Sequence, residues 1–239
     1  MAAGWGGGGA QFGMDPAVLA YWPMFGLRLR TERLELRHPT DDDLLQLAEL
    51  AGQGIHDPGW MPFSHPWTEI PSPRLEQQAM QHYWGVRSRW SPEDWNCMFV
   101  TIHDGEVIGT QDFFAKHFAT LRGVSSGSWI GQAHHGQGFG KEQRAAVLHL
   151  SFAGLGALRA DSSAREDNGP SLGVSRSLGY VEDGDYFDVI SGQRVRMVRV
   201  KLTRQRWESH RTHEVEISGL EPCLELFGAA DGGESDPAG

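Results

Sequence analysis

The stretch Gly127-Ser128-Trp129-Ile130-Gly131-Gln132-Ala133-His134-His135-Gly136-Gln137-Gly138-Phe139-Gly140-Lys141-Glu142 runs from a strand-like segment through a glycine-rich turn straight into a helical pattern. Glycines at 136, 138 and 140 can take positive φ and let an anion approach the backbone. The first N–H groups of the helix that follows have no acceptor within the helix and sit at the positive end of its dipole. The segment therefore reads as a seat for a pyrophosphate.

Two common pyrophosphate loops do not fit. The P-loop spacing is absent, and a dinucleotide fingerprint needs G-x-G-x-x-G, a longer gap than Gly136-x-Gly138-x-Gly140 provides. The pattern R/Q-x-x-G-x-G/A does fit His135-Gly136-Gln137-Gly138-Phe139-Gly140, apart from His at the first position. A second block, Asn168-Gly169-Pro170-Ser171 through Leu178-Gly179-Tyr180, and a third, Thr31-Glu32-Arg33-Leu34-Glu35-Leu36-Arg37 followed by Thr40-Asp41-Asp42-Asp43, stand in the matching order. Together the three blocks resemble the GCN5-related N-acetyltransferases (GNAT), in the branch of ribosomal-protein N-terminal acetyltransferases. The resemblance implies an α/β fold, with a mixed central sheet whose splayed strands hold coenzyme A, flanked by helices.

Composition is compatible with this. A chain of 239 residues, 39% hydrophobic and 22% charged, can bury a sizeable core as one domain. The two cysteines, Cys97 and Cys223, match no metal-ligand spacing and are expected as reduced thiols in a cytoplasmic protein. No apolar run reaches the ~18 residues of a membrane span, and the start of the sequence lacks a secretion signal's regions. A net charge of -10 argues against a nucleic-acid surface and suits cationic amines. We expect a flexible segment over residues 1–23, with Gly6 to Gly9 mobile and Met14 a possible second start. An acyltransferase domain then covers 24–206, a packed C-terminal extension 207–228 and a flexible tail 229–239.

Between these ends strand and helix signals alternate. Leu27-Arg28-Leu29 and Leu34-Glu35-Leu36 have a strand period. Thr40 and Asp43 form a capping-box-like start to a helix carrying Leu44, Leu47 and Ala48, and a second helix is expected over residues 74–90. Asp104-Gly105 turns a hairpin between Met98–Ile102 and Glu106–Phe114. The main helix is expected over 140–153, a short strand over 158–162 and a late strand over 194–202. The alternation Arg194-Val195-Arg196-Met197-Val198-Arg199 suits a half-buried strand.

The resemblance implies site residues as well. Trp129, Ile130, Gly131, His135, Gly136, Gln137, Gly138, Phe139, Gly140, Lys141, Asn168 and Ser171 would bind acetyl-CoA or succinyl-CoA. Many relatives carry a Tyr seven residues after the Asn as proton donor to the leaving thiolate, and Ser175 stands there. Asp112 is the first candidate for the general base, ahead of Glu35, His56 and His65. The Pro- and aromatic-rich stretch from Gly54 to Glu69 reads as an acceptor wall, with His56, Trp60, Phe63, His65 and Trp67 lining it and Gln111 beside it. Its His-Asp-Pro…Met-Pro-Phe…Pro-Trp-Thr pattern, with Ser126-Gly127-Ser128-Trp129 and the segments at 210–215 and 223–228, resembles a subgroup with succinyl-CoA as a proposed donor. Lys116, His117, Arg87 or Arg122 would then meet the succinyl carboxylate. The acceptor is a small amine, a protein N-terminus or a lysine. A CoA-binding module without turnover is the reading from another class. His134-His135 completes no metal set, so no metal is expected, and a homodimer is possible.

Overall fold

The structure, a computed structural model, describes residues 16–230. The expectations for Gly6 to Gly9, Met14 and 231–239 lie outside them. The elements are α1 (Pro16–Tyr21), β1 (Arg28–Arg30), β2 (Glu35–Arg37), α2 (Asp41–Gln53), α3 (Arg74–Ser88), β3 (Asp94–His103), β4 (Glu106–Lys116), α4 (Phe118–Leu121), β5 (Gly123–Ile130), α5 (Phe139–His149), β6 (Arg159–Arg165), α6 (Gly169–Ser177), β7 (Val181–Ile190), β8 (Gln193–Thr203), α7 (Arg204–His210) and β9 (Glu216–Ser218). They build one nine-stranded sheet in the order β7-β8-β6-β5-β4-β3-β2-β1-β9.

Local chemistry sets the elements that frame the site. Thr40 and Asp43 form a reciprocal capping box at the start of α2, as their spacing predicts. Asp104 and Gly105 both take positive φ, 49° and 85°, which is the turn a two-residue hairpin between β3 and β4 requires. α2 and α3 cover one face of the sheet, packing Leu44, Leu47, Ala48, Ala79 and Tyr83 on Met98 and Val100. α5 covers the other, where Ala145, Ala146 and Leu148 meet Cys97, Phe99, Phe113 and Val124.

The carboxyl-terminal residues are built into this core. β9 pairs antiparallel with β1, and Trp207 stacks on Phe152 with ring centroids 5.1 Å apart. Phe227 is fully buried, and the indole N–H groups of Trp90 and Trp95 donate to the carbonyls of Leu226 and Phe227 at 2.9 and 3.1 Å. Burying each such aromatic contributes roughly 1.5–3 kcal/mol. At the other end, the expected flexible segment ends sooner than residue 23. Residues 16–21 are helical, and Trp22 packs edge-on against Trp90 while its indole N–H donates to His38 at 3.3 Å.

Among the described residues all strand pairs are antiparallel except β5 with β6. That parallel pair is short, running only from Gly123↔Arg159 to Ser125↔Asp161. Beyond it the two strands part, β5 continuing to Ile130 against β4 and β6 continuing to Arg165 against β8. The sheet thus opens into a wedge whose walls are residues 126–130 and 162–165.

Candidate active site

The glycine-rich turn closes the wide end of the wedge. Gly138 takes φ 86° and forms the N-cap of α5, and the N–H groups of Lys141 and Glu142 return to its carbonyl. The N–H groups of Phe139 and Gly140 begin the helix and so have no acceptor within it. A Cβ built on Gly136 or Gly140 would meet nothing within 4 Å, and at Gly138 only Arg33 Nη2 at 3.4 Å. An open backbone cradle ahead of a helix start fits the pyrophosphate of CoA.

Arg33, which no spacing in the sequence marks, holds this loop. Its Nε and Nη2 donate to Glu142 Oε2 at 2.8 and 2.5 Å, its Nη1 donates to the Gln137 carbonyl at 3.0 Å, and its guanidinium lies 4.6 Å from the centre of the Phe139 ring. Thr31 Oγ1 adds a 2.6 Å bond to Glu142 Oε1. Burial pushes the Glu142 carboxyl up, but these hydrogen bonds to Thr31 and Arg33 outweigh it and hold it below its ordinary value.

Several residues expected to touch the cofactor are engaged otherwise. His135 is exposed, yet its Nε2 lies 2.8 Å from the Ile130 carbonyl, closing the corner between strand and loop. Gly131 donates its N–H to Ile108, and a Cβ there would come within 2.7 Å of Leu50, so this glycine permits close packing on α2. The Ile130 and Phe139 side chains are core, leaving only their backbone for a ligand. Gln137 and Lys141 stay on the loop and first turn. Trp129 faces the α2/α3 side opposite Thr110. Across the wedge Asn168 caps α6 by accepting from the Ser171 N–H at 3.1 Å, which sets that helix at the end of the β6 wall.

Asp112 pairs with Gly127, the second residue past the last β5–β6 pair. Paired side chains share a face, and a Cβ on Gly127 would meet nothing within 4 Å. Asp112 therefore lies on the α2/α3 face beside a position that carries no side chain. It is half-buried. Burial raises its pKa to about 7, against the lowering effect of the Thr110 hydroxyl, which donates to Oδ1 at 3.2 Å. Such a group exchanges a proton near neutral pH.

The Pro-rich loop roofs the same face. His56 and Phe63, Phe63 and Trp67, and Trp67 and Trp129 stand 5.8, 5.6 and 6.3 Å apart between ring centres, a continuous row ending on β5. His56 Nε2 is fixed by Thr68 Oγ1 at 2.7 Å. The loop reaches the other wall where Arg165 Nη1 donates to the Met61 carbonyl at 3.0 Å and Trp60 Nε1 donates to Asp167 at 3.4 Å. His65 is exposed and outside this row.

Gln111 does not belong to that wall. It is fully buried opposite Phe99, on the α5 side, and its amide donates to the carbonyls of Asp112 and Gly127 at 3.0 and 2.9 Å. Strand alternation places it one residue from Asp112 and so on the opposite face. Glu35 on β2 pairs with Arg28 and Arg30 of β1, three strands away from β5, and cannot serve as the base. Of the cations considered for a succinyl carboxylate, Lys116 pairs with Asp94, Arg87 pairs with Asp41, Arg122 reaches the Leu155 carbonyl, and His117 precedes α4 in a left-handed conformation. None stands on a wall of the wedge. Ser175 is buried on α6 and accepts from Arg144 Nη1 at 3.0 Å.

Among the described residues no cluster of three or more His, Cys, Asp or Glu side chains could hold a metal, and no helix is long and apolar enough to cross a membrane. A cavity of about 860 Å³ lies apart from the wedge, between the β1–β2 turn and residues 212–216. Arg33 and Glu142 on its wall are paired with each other.

A wedge between two parallel strands, closed by a glycine loop at a helix start, gives a mixed α/β domain with an open backbone cradle. The family description "Acetyltransferase (GNAT) domain" matches residues 33–181, and the chain belongs to that family. The fold is shared with RimJ from Mycobacterium smegmatis, solved with CoA-disulfide, at 20% identity and a TM-score of 0.60 over 85% of this chain and 94% of that one. RimL, a ribosomal L7/L12 alpha-N-protein acetyltransferase solved with coenzyme A, matches at 18% identity and TM-score 0.59 over 72% and 94% of the two chains. A GNAT acetyltransferase from Bacillus anthracis matches at 15% and 0.60 over 74% and 99%.

Proposed function

We propose that this chain transfers an acyl group from an acyl-CoA thioester directly to an amine, with acetyl-CoA as the default donor and succinyl-CoA as the alternative. The observation that carries this reading is the alignment of Asp112 and Gly127 at the point where β5 and β6 part. When bound, acyl-CoA supplies the activated carbonyl. The backbone of Gly136, Gly138 and Gly140 receives the pyrophosphate, and the wedge walls receive the arm that carries the thioester. The acceptor attacks as the neutral amine, and Asp112, in its ionised form, takes the one proton that leaves the nitrogen as the N–C bond forms; the row His56–Phe63–Trp67–Trp129 guides the acceptor to it.

The acceptor is an amine able to enter between that row and Asp112: a protein N-terminus, a lysine or a small amine. The named activity of the RimL structure on a protein α-amine supports the first of these. Release of CoA from acetyl-CoA and from succinyl-CoA, measured against a panel of peptide N-termini, lysine peptides and small polyamines, tests the proposal. Turnover should occur with one acceptor class and fall by about 10²–10⁴-fold in Asp112→Asn, with CoA binding kept. Binding of CoA without turnover on any acceptor would favour a non-catalytic CoA module instead.

A further inference from the structure

Arg144 is 5% exposed, and among the described residues no carboxylate lies within salt-bridge distance of it. The other arginines that meet carboxylates, such as Arg33, Arg165 and Arg196, are more exposed. A buried cation without a counter-ion is costly and persists where something else requires it. Its Nε has no hydrogen-bond partner among the described residues, and the Tyr180 ring stands close by. The guanidinium lies beneath the wedge and bridges its two sides. Nη2 donates to Ser128 Oγ on the β5 wall at 3.3 Å, and Nη1 donates to Ser175 Oγ on α6 at 3.0 Å. Ser175 in turn donates to the Ser171 carbonyl at 3.1 Å.

We propose that Arg144 is a positioning residue for the leaving group, polarising the Ser175 hydroxyl so that it receives the sulfur of CoA as a thiolate. The inference rests on the acyl-CoA reading above. As the amine nitrogen bonds to the thioester carbon, Asp112 takes its proton, the C–S bond breaks and the electron pair stays on sulfur. Ser175 turns its O–H from the Ser171 carbonyl to the sulfur, while Arg144 keeps donating to Ser175 Oγ and offsets the negative charge. No proton has to be transferred to sulfur inside the protein, so a Tyr at position 175 is not needed. An ordinary thiol loses its proton near pH 8.5, and a cation acting through one hydroxyl lowers that value.

The test uses free CoA and needs no acceptor. The full-length protein is saturated with CoA, and the thiolate absorbance is followed against pH, with desulfo-CoA as the blank. Burial raises both protein thiols, Cys97 and Cys223, the latter to about 11, so neither interferes near neutral pH. In the wild type the bound thiol should ionise about one unit or more below free CoA. The shift should vanish in Arg144→Met, shrink in Ser175→Ala and partly survive in Arg144→Lys. Arg144→Met should melt no lower than the wild type, since it removes an unpaired buried charge, which separates this role from a purely structural one. CoA bound with an unshifted thiol, or a shift that persists in Arg144→Met, overturns this inference alone. Failure of CoA to bind at all overturns the acyl-CoA reading and this inference with it.

Discussion

Arg33 and Glu142 meet at 2.5 Å, joining the turn between β1 and β2 to the first turn of α5, while the same guanidinium holds the Gln137 carbonyl. Residues 109 positions apart thereby fix the shape of the cofactor loop before any ligand arrives. Glu142→Gln should weaken CoA binding by about tenfold and cost about 1–3 kcal/mol of stability at neutral pH, because Arg33 loses its charged acceptor. The Glu142 carboxyl titrates below its ordinary value of 4.5, so its contribution is present above that pH and is lost as pH falls through the lower folded value. Melting curves of the two proteins should differ at pH 7 and converge in strong acid. A gap unchanged by pH would deny the carboxylate this role.

Asp112 has the opposite sign. Its pKa is raised to about 7, so ionising it in the folded protein is unfavourable. The penalty is absent below the ordinary Asp value of 3.8 and grows as pH rises toward 7. Asp112→Asn should therefore melt higher than the wild type at pH 8 and gain nothing at pH 4. In the wild type, kcat/KM should rise through about pH 7 with one proton removed, and the variant should lose that rise. A flat pH–rate profile over this range would move the base elsewhere.

Gly127 keeps the path from Asp112 to the wedge clear, since a Cβ there would meet only open space. Gly127→Val would not disturb the packing on that face, so folding should survive within about 1 kcal/mol, while turnover falls by tenfold or more. Near-normal turnover in a folded Gly127→Val protein would show that the reacting atoms do not pass this point.

The aromatic row predicts a separation of affinities. Phe63→Ala, which interrupts the row between His56 and Trp67, should raise KM for the acceptor by about tenfold and leave that for acyl-CoA near its original value. Equal loss for both substrates would mark the loop as support for the fold.

Much of this was legible in the chain. The glycine loop, the Thr40–Asp43 cap and the Asp104-Gly105 hairpin are encoded by residues within a few positions of one another; the cap and the hairpin take the expected form, and in the loop Gly136 and Gly138 take positive φ while Gly140 belongs to the first turn of α5. The side of the sheet that a strand residue faces is less so. Asp112 and Gln111 are adjacent polar residues, and only the pairing with β3 and β5 shows that one lies on the α2/α3 face and the other on the α5 face. β7 was hidden because Val181-Glu182-Asp183-Gly184-Asp185 is acidic and breaks the apolar alternation, and β8 holds it in place with a bulge between Glu182 and Asp185. Arg33–Glu142 and Arg144–Ser175 join residues 109 and 31 positions apart, which no local pattern reports. Of the departures from the family pattern visible in sequence, His135 at the head of the loop and Ser175 in place of Tyr, the second pointed to the Arg144–Ser175 pair without identifying Arg144.

Residues 136–141 and the wedge behind them are proposed to hold acyl-CoA. Calorimetric titration of the wild type and of Gly138→Glu with acetyl-CoA, succinyl-CoA and free CoA tests this binding. Gly138 holds φ 86°, so a glutamate there strains the turn and sets a negative charge in the anion seat. Saturable binding of one acyl-CoA per wild-type chain, lost in Gly138→Glu while the fold persists, is the expected result. Absence of binding by all three, or equal binding to both proteins, would contradict the assignment of the loop.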